Sequence, residues 1–122
     1  MTYFISGHRD LTWEEFAKWY APVISRVVDN ESCPKFVVGD CEGADRMAQE
    51  FLLSLGVPPE SITIYYIGNL LTVPPCKCNS GFQSDEERDA AMTRDSDEDI
   101  AFIRKGKETS GTAQNILRRW TK

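Results

Sequence analysis

The chain reads as short apolar runs alternating with longer segments in which apolar residues return every three or four positions. Tyr3 to Ser6 is apolar, too short for a helix and closed by Gly7, which predicts a strand. Thr12 stands three residues before Glu15, the spacing of a capping box. Trp13, Phe16, Ala17, Tyr20, Ile24 and Val27 then recur at helical period, predicting one helix bent at Pro22. Lys35 to Gly39 carries Phe36-Val37-Val38, the unbroken apolar run of a strand covered on both faces. A second helix follows on Ala44, Met47, Ala48, Phe51, Leu52 and Leu55, with Gly56 at its end.

Beyond Pro58-Pro59, the residues Ile62, Ile64, Tyr65 and Ile67 predict a strand over Ser61 to Ile67. Gly68 to Gln83 has no sustained period and predicts a long loop, placed either to close over a ligand or to reach a neighbour. Ser84 with Glu87 opens a polar helix to about Arg94. A strand follows over Asp99 to Ile103, then a last helix with Ala113, Ile116, Leu117 and Trp120 on one face. Strands interleaved with helices imply parallel pairing, because parallel neighbours need crossovers that helices supply. The expectation is an α/β sandwich with a mainly parallel sheet, formed as one domain over residues 1–122.

Composition narrows the function classes. Hydrophobic residues make up 41% and charged residues 27%, the balance of a globular protein with a packed core. No run approaches the roughly 18 apolar residues of a bilayer span, and Tyr3-Phe4-Ile5 follows no basic leader, which predicts a cytoplasmic protein without a membrane partner. The net charge of -5 opposes binding to long nucleic acid, yet leaves room for a small anion held by local amides and cations. Cys33, Cys41, Cys76 and Cys78 lack metal-knuckle spacing and are expected to be reduced thiols, with no metal. Trp19 falls off the apolar face of the first helix, an argument for a self-associating surface and a homodimer.

Candidate chemistry follows from the sheet, since parallel sheets bind ligands beyond the carboxyl ends of their strands. Those positions hold Ser6-Gly7-His8-Arg9, Gly39-Asp40-Cys41-Glu42-Gly43-Ala44-Asp45, and Gly106 to Thr112 with Ser110-Gly111-Thr112. Glycine admits close backbone approach, helix starts at Gly43 and Ser110 offer unpaired amides, Ser6, Ser110 and Thr112 add hydroxyls, and Arg9 and Lys107 add charge. The same residues also serve any α/β protein as turns and caps. Neither a GxxxxGK[ST] phosphate loop nor a GxGxxG fingerprint is present, so no nucleoside-triphosphate or dinucleotide cofactor is expected.

The order Ser6-Gly7-His8-Arg9, Gly39-Asp40-Cys41-Glu42-Gly43-Ala44-Asp45-Arg46-Met47-Ala48, Arg88-Asp89-Ala90-Ala91-Met92 and Ser110-Gly111-Thr112-Ala113 resembles the SLOG superfamily. That group includes the DprA DNA-processing proteins and the LOG phosphoribohydrolases, and the chain is most similar to its small YspA-like branch. The resemblance spans nearly the whole chain and implies a Rossmann-like three-layer sandwich with a parallel sheet of four or more strands. It implies a pocket for a nucleotide or nucleotide-derived ligand, used for sensing, for cleaving the base from a nucleoside 5'-monophosphate, or for single-stranded nucleic acid. Matched position by position, Gly7, Arg9, Gly39, Gly43, Asp45, Arg88, Gly111 and Thr112 fall on the family's site. The chain departs from the family in two places. The usual Arg-Asn pair is Arg88-Asp89, and the glutamate that LOG enzymes carry three residues beyond Gly-Thr is Asn115. An N-glycosidase would then draw its carboxylate from Asp45 or Glu42. His8, the only histidine, sits in a turn without an identifiable orienting carboxylate and is read as structural or ring-stacking.

Overall fold

A computed structural model describes residues 1–68, 76–107 and 110–120. Five strands form one all-parallel sheet: β1 (Thr2–Ser6), β2 (Lys35–Gly39), β3 (Ile62–Tyr65), β4 (Lys77–Asn79) and β5 (Glu98–Ala101), in the spatial order β4-β3-β2-β1-β5. Five α-helices accompany it: α1 (Trp13–Trp19), α2 (Ala21–Asn30), α3 (Ala44–Ser54), α4 (Asp85–Arg94) and α5 (Gly111–Trp120). A 3-10 turn at Pro59–Ser61 leads into β3. The three-layer α/β sandwich expected from the sequence is thus present. No helix of the described residues is long and apolar enough to cross a membrane.

Side-chain alternation along the strands sorts the core into two layers. Tyr3, Ile5, Phe36, Val38, Ile62, Ile64 and Ile100 face α1, α2 and α3, where Phe16, Tyr20, Ile24, Ala44, Ala48 and Leu52 meet them. Phe4, Val37 and Tyr65 face the other way, toward Ala91 and Met92 of α4. The first layer is thick; each of its large side chains contributes about 1.5–3 kcal/mol by leaving water. The second layer is thin and leaves space beside β1 that polar side chains line.

Two elements differ from the sequence reading. The first helix is two helices. α1 ends at Trp19, and Pro22 lies in the first turn of α2, where its missing N–H leaves no helical hydrogen bond unmade. The N-terminal capping box of α1 is complete, with the Thr12 hydroxyl accepting the Glu15 N–H and the Glu15 carboxylate accepting the Thr12 N–H. The second difference is β4, which pairs with β3 from Thr63↔Lys77 to Tyr65↔Asn79 inside the stretch read as a loop. Part of that stretch, 69–75, lies outside the described residues, and so does the lid or bridge expected of it.

The chain leaves β1 toward α1 on one face and leaves β5 toward α5 on the other. β1 and β5 are hydrogen-bonded neighbours, with Ser6 opposite Ala101. A crevice at this point of divergence is where an open parallel sheet accepts ligands.

Candidate functional site

A cavity of about 300 Å³ opens at that crevice, between the carboxyl end of β1 and the first turns of α4 and α5. Phe4 and Met92 line it from the thin core layer. Ser6, at the end of β1, is 6% exposed; its hydroxyl has no hydrogen-bond partner among the described residues, although it lines a polar cavity. A buried hydroxyl left unpaired costs about 1–3 kcal/mol, which a ligand able to hydrogen-bond would recover.

Gly7 follows because nothing larger fits: a Cβ there would meet the Tyr20 hydroxyl and, at 2.5 Å, Ala44 Cβ. The next residue, His8, fixes the turn through both backbone and ring. Its carbonyl accepts the N–H groups of Leu11 and Ala44, so the first amide of α3 is satisfied by protein. Its Nε2 accepts the Arg104 N–H at 2.9 Å, and the ring stands edge-on to Phe102. Accepting at Nε2 leaves the proton on Nδ1. Burial, followed by the charge of Arg104, lowers the His8 pKa, in favour of the neutral ring. The Arg104 guanidinium spans Asp10 and Glu15, holding the Glu15 carboxylate down at about 2 and tying the turn after β5 to the turn after β1.

Beyond β2, Asp45 accepts the Cys41 N–H at 3.1 Å and packs so closely on Gly39 that a Cβ on that glycine would lie 2.6 Å from its Oδ2. Burial pushes the Asp45 carboxyl up to about 7; the Cys41 N–H and Arg88 oppose this, while Asp89 and Asp40 add to it. A carboxyl near neutrality in a cavity can hold or give up a proton there.

From α4, Arg88 enters the cavity buried, at 6% exposure. Its Nη1 lies 3.4 Å from Asp40, 3.6 Å from Asp85 and 3.6 Å from the Cys41 sulfur, and its Nε lies 3.2 Å from Asp89. Three carboxylates therefore offset one guanidinium. Asp89, its pKa raised by burial and lowered by Arg88, is hydrogen-bonded in turn by Asn115. Asn115 also accepts from Arg118 at 2.8 Å, linking α4 to α5 through polar groups. At the mouth, exposed Arg9 pairs with Asp85 at 3.4 Å.

Helix α5 begins against the same space. Ser110 caps it by accepting the Ala113 N–H at 3.3 Å, while Gly111 and Thr112 line the cavity with first-turn amides that have no carbonyl of their own helix to bond. A Cβ at Gly111 would touch nothing.

Of the residues expected at the site, Ser6, Gly7, Arg9, Asp45, Arg88, Ser110, Gly111 and Thr112 line this one cavity. Gly39 stands behind Asp45, Glu42 and Lys107 are exposed away from the cavity, and Gly43 is pressed against the Arg9 and His8 carbonyls at φ 75°. Gly43 therefore serves the packing of α3. Sequence reasoning passed over Cys41, Asp85, Asp89 and Met92 as lining residues. Asp85, Arg88, Asp89 and Met92 stand at i, i+3, i+4 and i+7, one face of α4, and that spacing was the available signal. Among the described residues, no group of three or more His, Cys, Asp or Glu side chains could hold a metal. Comparisons of the chain with protein-family models, curated proteins and solved structures found no match.

Proposed function

We propose that the chain binds a nucleotide or nucleotide-derived ligand through its phosphate, as a sensing or binding module of the SLOG type. The observation that carries this reading is the buried, unpartnered Ser6 hydroxyl in the cavity onto which the first turn of α5 opens. A helix start with free amides and a positive dipole end is a ready anion site, and Ser6 supplies a donor to the same anion. Arg9 completes the cradle by exchanging its exposed, weakly held partner Asp85 for phosphate. Arg88 contributes through its Nη2, which makes no hydrogen bond among the described residues, and its positive charge limits the repulsion from Asp40, Asp85 and Asp89. A cavity of about 300 Å³ is at the small end for ligand pockets, suited to a mononucleotide or sugar phosphate.

Asp45 favours a second reading, a nucleoside 5'-monophosphate N-glycosidase. A carboxyl with a pKa of about 7 retains a proton to donate to a departing base and, once ionised, can activate water. Single-stranded nucleic acid, the third possibility implied by the resemblance, is disfavoured by the -5 charge and by an acidic cavity wall.

Thermal-shift titration with a panel of nucleoside 5'-monophosphates, with chromatography for free base, tests both readings. Stabilisation that requires the phosphate, without base release, is the expected result. Base release abolished by Asp45→Asn would establish the enzyme. No stabilisation by any member at millimolar concentration would overturn both.

A further inference from the structure

One carboxylate at the cavity mouth divides its two oxygens between two arginines. Asp85, the first residue of α4, places Oδ2 3.4 Å from Nη2 of Arg9 and Oδ1 3.6 Å from Nη1 of Arg88. All three residues line the cavity, so this carboxylate reaches from the turn after β1 to the buried guanidinium within. An anion with one oxygen on each of two guanidinium groups is arranged as arginines hold a phosphate.

Asp85 differs from the other carboxylates beside Arg88 in being able to leave. Its side chain is 61% exposed, whereas those of Asp40 and Asp89 are 25% and 16% exposed. Exposed ion pairs are weak, so Asp85 can turn out into water at little cost, while Asp40 and Asp89 stay beside the buried cation. Nor does α4 depend on Asp85 for its start. Ser84 caps the helix by accepting the Glu87 N–H at 3.1 Å, and Glu86 and Glu87 keep the first turn acidic. Glu86 serves the helix dipole as Asp85 does, but it is exposed and has no ion pair among the described residues. The bridge between Arg9 and Arg88 sets Asp85 apart.

We propose that Asp85 is a built-in competitor of the ligand phosphate: in the free chain it occupies Arg9 and Arg88, and a phosphorylated ligand binds by displacing it. The proposal rests on the phosphate reading of the cavity and adds what limits its affinity. Because one anion replaces another at the arginines, binding to the native chain changes the number of ion pairs little and depends only weakly on salt. Without the Asp85 carboxylate the phosphate forms pairs that were not there before, and added salt opposes them.

The test is calorimetric titration of the full chain with adenosine 5'-monophosphate and with ribose 5-phosphate, in about 20 mM and about 300 mM salt. Asp85→Asn should bind both probes roughly threefold to tenfold more tightly than the native chain at low salt, and should lose more of its affinity at high salt. Glu86→Gln removes the same charge from the same turn and should stay within about twofold of the native affinity. In an Arg9→Gln background the gain from Asp85→Asn should shrink, since one of its two contacts is already gone. Circular dichroism and melting temperature of each variant confirm that these substitutions leave the fold intact. No binding of either probe by the native chain or by Asp85→Asn would overturn the phosphate reading and this proposal with it. Binding that Asp85→Asn leaves unchanged or weakens, that Glu86→Gln tightens equally, or whose gain persists undiminished in Arg9→Gln would overturn this proposal alone and leave the phosphate reading standing.

Discussion

The hydroxyl of Tyr20 donates to the carbonyl of Ser6 at 2.7 Å, reaching from the junction of two helices to the end of the first strand. The same oxygen accepts the Phe102 N–H at 3.0 Å, so one buried phenol joins the two chain ends that diverge around the crevice. Tyr20→Phe keeps the ring and removes both bonds, leaving a carbonyl and an amide unmatched. It should destabilise the protein by about 1–3 kcal/mol in urea denaturation. Because those ends frame the cavity, the proposed nucleotide binding should weaken as well.

Arg88 is held by Asp40, Asp85 and Asp89, with Asp45 beyond them. Removing the guanidinium leaves the partly buried carboxylates of Asp40 and Asp89 without their cation, while Asp85 stays in water. Arg88→Ala should therefore cost about 3–5 kcal/mol, the penalty typical of breaking a buried pair from one side. The loss should be larger at pH 8 than at pH 5, since protonation relieves carboxylates that have lost their cation. Equal losses at both pH values would mean that the residue stabilises by packing alone.

Much of this arrangement can be read in the chain, and the exceptions have physical reasons. Phe36-Val37-Val38 announces a strand covered on both faces because each residue meets a different apolar layer. Lys77-Cys78-Asn79 announces nothing: all three residues are exposed at a sheet edge, so neither alternation nor an apolar run marks them. The glycine turn before α5 points to the cavity because backbone approach is its chemistry, whereas Gly7 after β1 lines the cavity yet is demanded by Tyr20 and Ala44 packed against it. Gly43 looks the same in sequence yet packs against protein, a distinction that depends on what lies across from it in space. The polarity of α4 suggests a solvated surface, but Arg88 is buried because the second core layer is too thin to exclude it.

Asp45 gives the fold a pH dependence of definite sign. Its folded pKa of about 7 lies above the ordinary 3.8, so the folded state holds the proton more tightly than the unfolded chain does. The contribution is greatest below about pH 4, declines as pH rises toward 7 by up to roughly 1.4 kcal/mol per unit, and is level above that. Asp45→Asn keeps an oxygen for the Cys41 N–H but cannot ionise. Denaturation across this range should show a flatter profile for the variant, with greater stability than the native chain at pH 8. Parallel profiles would mean that Asp45 is an ordinary, ionised carboxylate.

Two glycines separate folding from binding. At Gly43 a methyl group would collide with the Arg9 and His8 carbonyls, and φ is 75°, a conformation that L side chains rarely adopt. Gly43→Ala should therefore destabilise by about 1–3 kcal/mol or more through overpacking and backbone strain. Gly111 opens α5 with nothing within 4 Å of the position a Cβ would take, so Gly111→Ala should leave stability unchanged or raise it by a few tenths of a kcal/mol. The added methyl stands where the first-turn amides face the cavity, and in the phosphate reading it hinders the ligand's approach. Binding of nucleoside monophosphates to Gly111→Ala should fall at least severalfold while its melting temperature without ligand holds. Unimpaired binding would place the anion away from α5.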